Sequence, residues 1–594
     1  MQAKLTGLRT RQCLFCQILI SLPYIYPMLN SDIADLLNTT CRLMELHGEN
    51  AFKARSYQSA AFRIDKMIEP LRGKSEEELS ATEGIGQSLS RKIFQILNTG
   101  TFPELEELLN KTPAGVMEMM QVKGIGPKKV AVLWKELGVE SPGELLYACN
   151  ENRLLALKGF GAKTQEQIIQ SIEFKNAARG QFLYPDAEQS GNLLTEVVKS
   201  VAGIIQISDT GEIRRRCEIV TLLEYVLAPM EITESVRQAL NGKGIESNLI
   251  NGESDCSLQG TTVEGIPFLL HFCKEQDFVR TLWTTTGSVM HLVRMENQMP
   301  SFNESLQNVK DEEEVYRNAG VYYVVPEMRE AESRLIPLSE KRPSELVTMA
   351  SLQGILHNHS NWSDGIHSLE EMAEGCRSLH KTYFGICDHS RSAVYANGLS
   401  LERVKAQHQE IDQLNQKLAP FRVFKGIESD ILTDGSLDYP EDILSSFDFI
   451  VASVHSGFRM DEKRATERLI KAVHNPYTTI LGHCTGRLLL SRPGYPVDHK
   501  AVIDACAEAE VILELNAHPY RLDIDWRWIE YALSRNVMIS INPDAHSVEG
   551  YRSLYYGVNS ARKGGLPVEM TFNAQSVEFV AEWFKKRNQK ASGS

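Results

Sequence analysis

Seven short apolar runs lie between residues 352 and 546, and most of them stop at a histidine, an aspartate or a glutamate. They read LQGILHNHS, YFGICDHS, FRVFKGIES, FDFIVASVHS, TTILGHC, VILELNAH and VMISINPDAH. Helix-patterned segments such as SLEEMAEGCRSL and VDHKAVIDACAEA separate several of them. Alternating strands and helices build βα units, and polar residues at the strand C-terminal ends place a site on one rim of a barrel. Twelve of the fifteen histidines fall within residues 357–546, a clustering that ordinary core or surface use does not require. The first run continues as GILHNHSNWSDG, with His357 and His359 one residue apart. In an extended strand such residues point to the same face, so both imidazoles are expected to project together, with Asp364 curling back from the loop. Such a pair alone is more often packing than a metal site; a ring of such strand ends is stronger evidence.

A second device repeats nearer the N-terminus, as ATEGIGQSLSRKI (81–93), QVKGIGPKKVAVL (121–133) and ALKGFGAKTQEQI (156–168). Each reads as a helix end, a Gly-apolar-Gly hairpin and a new helix start. The glycine pairs Gly84/Gly86, Gly124/Gly126 and Gly159/Gly161 allow positive φ and leave backbone N–H groups uncovered at the next helix, which suits a phosphate. Lys128 and Lys129 follow the second hairpin, while Lys123 and Lys158 precede hairpins. Three copies read as helix-hairpin-helix elements expected to grip a nucleic-acid backbone without reading bases, rather than as plain tight αα turns. Charge qualifies this reading: the formal net charge is -14, so any DNA contact rests on local patches rather than bulk attraction.

The eleven cysteines are scattered, and only Cys13 and Cys16 have CxxC spacing, which suggests reduced thiols and a cytoplasmic protein. Residues 1–27 begin basic and then run apolar, but without a small-x-small cleavage site they read as a leader or non-native extension. From Met28 an amphipathic helix begins, with Ile33, Leu36, Leu37, Cys41, Leu43 and Met44 as its apolar positions. No later stretch is long and apolar enough to span a bilayer, so no membrane partner is expected.

The hairpins, GENAFKARSYQSAAFRI (48–64), TTGSVMHLVRM (285–295) and EEEVYRNAGVYYVVPEMRE (312–330) together resemble bacterial family X DNA polymerases (PolX), in order and over nearly everything from Met28 onward. That resemblance implies a multidomain fold. It comprises a helical DNA-binding domain with the first hairpin (28–100), a fingers-like helical region with the other two (101–180), an α+β nucleotidyltransferase-like palm and thumb (181–345) and a C-terminal distorted (βα)7 barrel of the PHP phosphoesterase type (350–590). The family's palm carries Gly-Ser and two arginines, then a strand with two aspartates one residue apart and a third aspartate on a neighbouring strand. Here Glu212 replaces the serine, Leu222 and Glu224 stand at the aspartate pair, and Leu269 stands at the third position, while Arg214 and Arg215 are kept. Leucine cannot ligate Mg²⁺, which needs oxygen ligands. The palm is therefore expected to be a scaffold without a Mg²⁺ site.

In the barrel nothing is missing. The family's metal ligands fall on His357, His359, Asp364, His389, Glu428, His455, His483, Asp544 and His546, implying three divalent ions, usually Mn²⁺, with Zn²⁺ or Fe as alternatives. Arg487, Arg492 and Arg521 are candidate phosphate clamps, Asp388 is a candidate for orienting a ligand, and His518 is left undecided. The resemblance implies a DNA repair enzyme, monomeric, acting on gapped, nicked or abasic DNA, with other repair proteins as further partners. Its barrel would hydrolyse phosphodiesters as a 3′-5′ exonuclease or abasic-site nuclease. A non-catalytic DNA-binding scaffold and a phosphatase for small monoesters are the alternatives.

Overall fold

A computed structural model describes residues 28–591 apart from 68, 83, 152, 178, 252–255, 299–305, 307–308 and 332–333. The leader expected at 1–27 lies outside these residues. The chain forms two compact units, one ending at Arg179 and the other beginning at Gly180.

The first unit is helical. Its opening helix, Asn30–His47, buries Ile33, Leu37 and Met44 along one face, and Asn50 caps the next helix, Ala51–Asp65, by accepting from the Phe52 and Lys53 N–H groups. The three hairpins form, but their two glycines have different duties. Gly84, Gly124 and Gly159 adopt φ of 81°, 96° and 91°. Gly86 and Gly126 are extended, at φ −79° and −89°, and cap the helices Gln87–Thr99 and Pro127–Leu137. Gly161 in the third hairpin does not take positive φ either. It precedes the helix Ala162–Ala177, and its carbonyl accepts from the Thr164 and Gln165 N–H groups at 2.9 and 3.0 Å. The expectation that both glycines of each pair supply positive φ is thus corrected at Gly86, Gly126 and Gly161. The first glycine makes the turn, and the second starts a helix in open space, with nothing within 4 Å of where a Cβ would sit. The apolar residue between them, Ile85, Ile125 or Phe160, plugs into the helical core.

The second unit opens with β1 (Phe182–Leu183), which pairs antiparallel with β3 (Ile219–Val220). A five-stranded sheet follows, built from β2 (Gln206–Thr210), β4 (Leu223–Ala228), β5 (Ser247–Asn251), β6 (Cys256–Thr261) and β7 (Pro267–Phe272) in the order β2-β4-β7-β6-β5. Only β4 and β7 run parallel, and their register sets Glu224 opposite Leu269.

Then come seven parallel strands in sequence order: β8 (Gly354–Ile355), β9 (Tyr383–Ile386), β10 (Arg422–Asp430), β11 (Phe449–Ser453), β12 (Ile480–Leu481), β13 (Ile512–Asn516) and β14 (Ile539–Asn542). Each coincides with one of the seven apolar runs. The sheet nearly closes, because Asn358 bridges in parallel to Ala545 and the His359 N–H donates to the Ala545 carbonyl at 2.8 Å. At the N-terminal end Phe449 stacks on Phe584 of the closing helix Val577–Ala591, with centroids 4.9 Å apart. Apolar packing shuts that end, so the site is confined to the other.

The first strand departs from expectation. It stops at Ile355, and His357 takes a left-handed φ of 57°. His357 and His359 therefore converge through a turn rather than through strand pleating. Asn358 between them stabilises the turn by donating to the Gly385 carbonyl at 3.0 Å. Gly354 is needed beside it: a Cβ there would lie 2.0 Å from the buried Tyr383 ring. Gly354→Ala is expected to lower stability by about 1–3 kcal/mol, the usual cost of overpacking, as a reduced urea midpoint in circular dichroism.

Candidate metal centre

The C-terminal ends of the barrel strands bring the nine histidines and carboxylates together. They fall into four groups whose ligand atoms lie within 4.8 Å of one another: His359–Asp364–His389–His546, His357–Glu428–His483, His357–His359–Asp544 and His389–Glu428–His455. Glu428, wholly buried on β10, is the hub. Its oxygens lie 3.3 Å from His357 Nε2, 3.1 Å from His455 Nε2, 3.0 Å from His483 Nε2 and 3.0 Å from His389 Nδ1. His359 stacks between His546 and His389, with centroids 4.2 and 4.4 Å away.

Behind these residues stand partners that the strand-end pattern did not single out. Glu514 Oε2 on β13 lies 2.6 Å from His357 Nδ1, and Asp430 Oδ1 at the end of β10 lies 2.5 Å from His455 Nδ1. His546 Nδ1 donates to the Asp544 carbonyl at 2.9 Å. Each contact fixes the outer ring nitrogen and turns the inner one toward the centre, as metal-binding histidines require. Glu514 was detectable as a charged residue in the middle of a buried strand. Its Oε1 also accepts from the His483 N–H at 3.1 Å and from Asn516 at 3.2 Å.

The electrostatics fit a cation. His357 Nε2, His359 Nδ1, His389 Nδ1, His483 Nδ1 and Glu428 Oε2 are buried without a hydrogen-bond partner, which is costly unless an ion takes them up. Burial alone would raise the Glu428 carboxyl, yet His455, His357 and His389 hold it well below the usual range. Burial opposes charge on His455 as well, but Glu428 and Asp430 hold its imidazolium up to about 10. His546, beside Asp364 and Asp544, is raised to about 9 in spite of its burial. His359 goes the other way, to about 3, through burial and the neighbouring His546 and His389. Against its burial, His357 is likewise raised, by Glu514, Glu428 and Asp544. Protons on three histidines thus offset part of the buried negative charge, and a divalent ion takes the place of such protons when it binds. The donor set fits one: imidazole and carboxylate, with no thiolate in any of the four groups.

The other expected site residues are less uniform. Asp388 is fully buried but faces the loop before Asp364, accepting from the backbone and hydroxyls of Ser360 and Ser363 and from Gln407. It orders that loop rather than touching the ring. Arg487 is taken up by Asp525 at 2.6 Å and by the carbonyls of Arg521 and Leu522. Arg492 bonds the Gly486 carbonyl and lies 4.4 Å over the Phe458 ring. Only Arg521 of the three reaches the ring, with Nε 3.8 Å from Asp544 Oδ2. It lines a cleft of about 390 Å³ with His518, Tyr520, Asp544 and His546.

The palm positions are occupied otherwise. Glu224 bonds His271 at 3.2 Å and packs on Gly211, whose φ is 59° and whose Cβ would lie 2.0 Å from Glu224 Oε2. Glu212 accepts from the Thr221 and Leu222 N–H groups at 2.6 and 3.3 Å. Arg214 forks onto Glu312, and Arg215 pairs with Glu330 at 3.0 Å. Burial would raise Glu312, but Arg214 and Arg329 hold its carboxyl below its ordinary value.

Helix-hairpin-helix units, a nucleotidyltransferase-like sheet and a histidine-rimmed parallel barrel together define a class: a polymerase-type chain carrying a phosphoesterase barrel. Comparison with known proteins agrees. Residues 28–102 match the helix-hairpin-helix domain family, and residues 116–173 match the SAM-like helix-hairpin-helix tandem family. The second match spans Gly124, Gly126, Gly159 and Gly161, and the first spans Gly84 and Gly86. The DNA polymerase/3′-5′ exonuclease PolX of Bacillus subtilis (strain 168) is 34% identical over 574 residues, covering 94% of this chain and 100% of that protein. The chain belongs to the PolX family. A probable phosphatase of Acetivibrio thermocellus is 27% identical over 250 residues, 39% of this chain and 95% of that protein. A probable phosphatase of Thermoanaerobacter sp. (strain X514) is 26% identical over 190 residues, 30% of this chain and 75% of that protein.

Adding Mn²⁺ to chelator-treated protein should raise the melting temperature of the second unit, since an ion that binds only the folded state stabilises it. Glu514→Gln should weaken that Mn²⁺ affinity about 10–100-fold, the usual effect of losing an outer partner of a histidine ligand, as read by titration of the melting shift.

Proposed function

We propose that this protein is a metal-dependent DNA phosphodiesterase that trims 3′ ends or cuts at abasic sites, and that its palm no longer synthesises DNA. The observation that carries the reading is the buried ring of histidine and carboxylate donors with unpartnered nitrogens at its centre. His357, His359, Asp364, His389, Glu428, His455, His483, Asp544 and His546 would hold three divalent ions, and nitrogen and oxygen donors without thiolate are consistent with Mn²⁺, Zn²⁺ or Fe. Ions held by these residues would supply a hydroxide near neutral pH and offset charge on phosphate oxygens. The protein's own part is positioning. Glu514 and Asp430 aim two imidazoles, Asp388 orders the loop of Asp364, and Arg521 offers its guanidinium to a phosphate in the cleft. The two helix-hairpin-helix matches and the exonuclease relative support DNA as the substrate.

Loss of synthesis rests on the palm. Two leucines stand where metal-binding aspartates belong, and both kept arginines are paired with carboxylates. The phosphatase relatives match the barrel region, which favours a small-monoester substrate as the second reading.

With a gapped DNA whose primer carries a 3′ label, and with Mn²⁺ present, the primer should shorten whether or not dNTPs are supplied. Extension on adding dNTPs would show that Glu224 still supports synthesis. Replacing His357 and His359 together with alanine should lower the hydrolysis rate by at least about 10³-fold while DNA affinity in a gel shift stays within about twofold, because removal of the metal takes away the nucleophile and the charge stabilisation together. Undiminished cleavage by that variant would sink the metal assignment.

A further inference from the structure

Two exposed aromatic rings lie near the histidine ring. Tyr395 is 70% exposed beside the 82% exposed Val394, and its ring centroid lies 5.9 Å from His389 and 6.4 Å from His455. Tyr520 is 50% exposed, stacks on His518 with centroids 5.4 Å apart, and lines the cleft that holds Arg521, Asp544 and His546. An exposed tyrosine is ordinary in itself. What singles out Tyr395 is the rigidity of the segment that exposes it.

Ala393 and Ala396, on either side of the exposed pair, are buried. The Ser392 N–H donates to Asp438 at 2.6 Å, and its hydroxyl donates to Asp430 at 2.8 Å, the carboxylate that also holds His455. The Leu399 N–H returns to the His389 carbonyl at 2.9 Å, and a Cβ at Gly398 would lie 1.9 Å from the Ser390 carbonyl. The segment is therefore fixed to the same residues that fix the ring, and it presents an aromatic face to solvent at a set distance from them.

We propose that Tyr395 is the stacking platform for the nucleobase at a DNA 3′ terminus, with Tyr520 receiving the adjacent base across the scissile phosphate. This rests on the phosphodiesterase reading above and adds the basis of its selectivity. Stacking on an aromatic ring is favourable and tolerant of base identity, as a trimming enzyme needs. Val394 widens the apolar shelf, and Arg521, in the cleft that Tyr520 lines, supplies positive charge for the phosphate. A small phosphomonoester reaches the ring but gains nothing from either tyrosine.

The test uses the full-length protein and a single-stranded oligonucleotide carrying 2-aminopurine at its 3′ end, with Ca²⁺ in place of Mn²⁺ so that binding is read without turnover. Wild type should quench the terminal fluorophore, Tyr395→Phe should keep the quenching, and Tyr395→Leu should lose it with about tenfold weaker capture of the 3′ end, the size of one stacking contact. Quenching that survives in Tyr395→Leu, or is absent from wild type, overturns the platform. A second readout is the wild-type and variant preference, in Mn²⁺, for the oligonucleotide over bis(p-nitrophenyl) phosphate, a diester without a base. That preference should fall about tenfold in Tyr395→Leu; an unchanged preference overturns the platform while leaving the phosphodiesterase reading intact. Wild type that cleaves neither diester removes the parent reading instead.

Discussion

A carboxylate with no solvent exposure sits at the meeting point of four histidines, and the barrel is organised around keeping it there. Glu428 is charged despite burial because His455, His357 and His389 surround it. A buried ion without partners is costly by several kcal/mol, so every strand end has to arrive in register to supply its share. The parallel sheet in sequence order, the bridge from Asn358 to Ala545 and the aromatic plug at the opposite end all serve that convergence. The outer acids Glu514 and Asp430 extend the same logic one shell further. Such a centre is rigid before any substrate arrives.

The sequence was most legible where the physics is periodic. Seven apolar runs became seven strands, and the nine expected ligands were drawn into one ring, because strand ends and their polar residues are local signals. It was less legible where a side chain's partner lies far along the chain. Arg487 stands six residues after β12 ends at Leu481, yet its guanidinium goes to Asp525, 38 residues away. Nothing in TGRLLL announces that partner. Likewise the HxH pair suggested pleating, whereas His357 uses a left-handed turn that a contact with the Gly385 carbonyl of the next strand helps stabilise. In the hairpins, Gly-apolar-Gly was read as two equal glycines, because sequence does not distinguish a positive φ, as at Gly159, from a helix start without one, as at Gly161. Glu514 is a charge in the middle of a strand rather than at its end, so the strand-end pattern does not mark it.

Around the palm, the charged side chains are paired with one another and with the backbone. Glu212 satisfies the amides of Thr221 and Leu222, and Arg214, Arg329 and Glu312 form a buried ionic cluster with Thr286. The arginines that a polymerase would offer to a nucleotide here join the palm strand to the thumb segments.

One contact in this region reaches further. Lys563, 4% exposed at the end of the barrel helix Leu554–Lys563, donates to Glu330 at 2.5 Å and to the Arg215 carbonyl at 3.0 Å. Arg562 next to it grips Glu327. The seam between sheet and barrel is therefore made of charges that need each other. Splitting the gene at that seam would leave ammonium, guanidinium and carboxylate groups stranded on both fragments. The arginine motif accordingly has a mechanical role, holding sheet and barrel together, that does not depend on nucleotide chemistry.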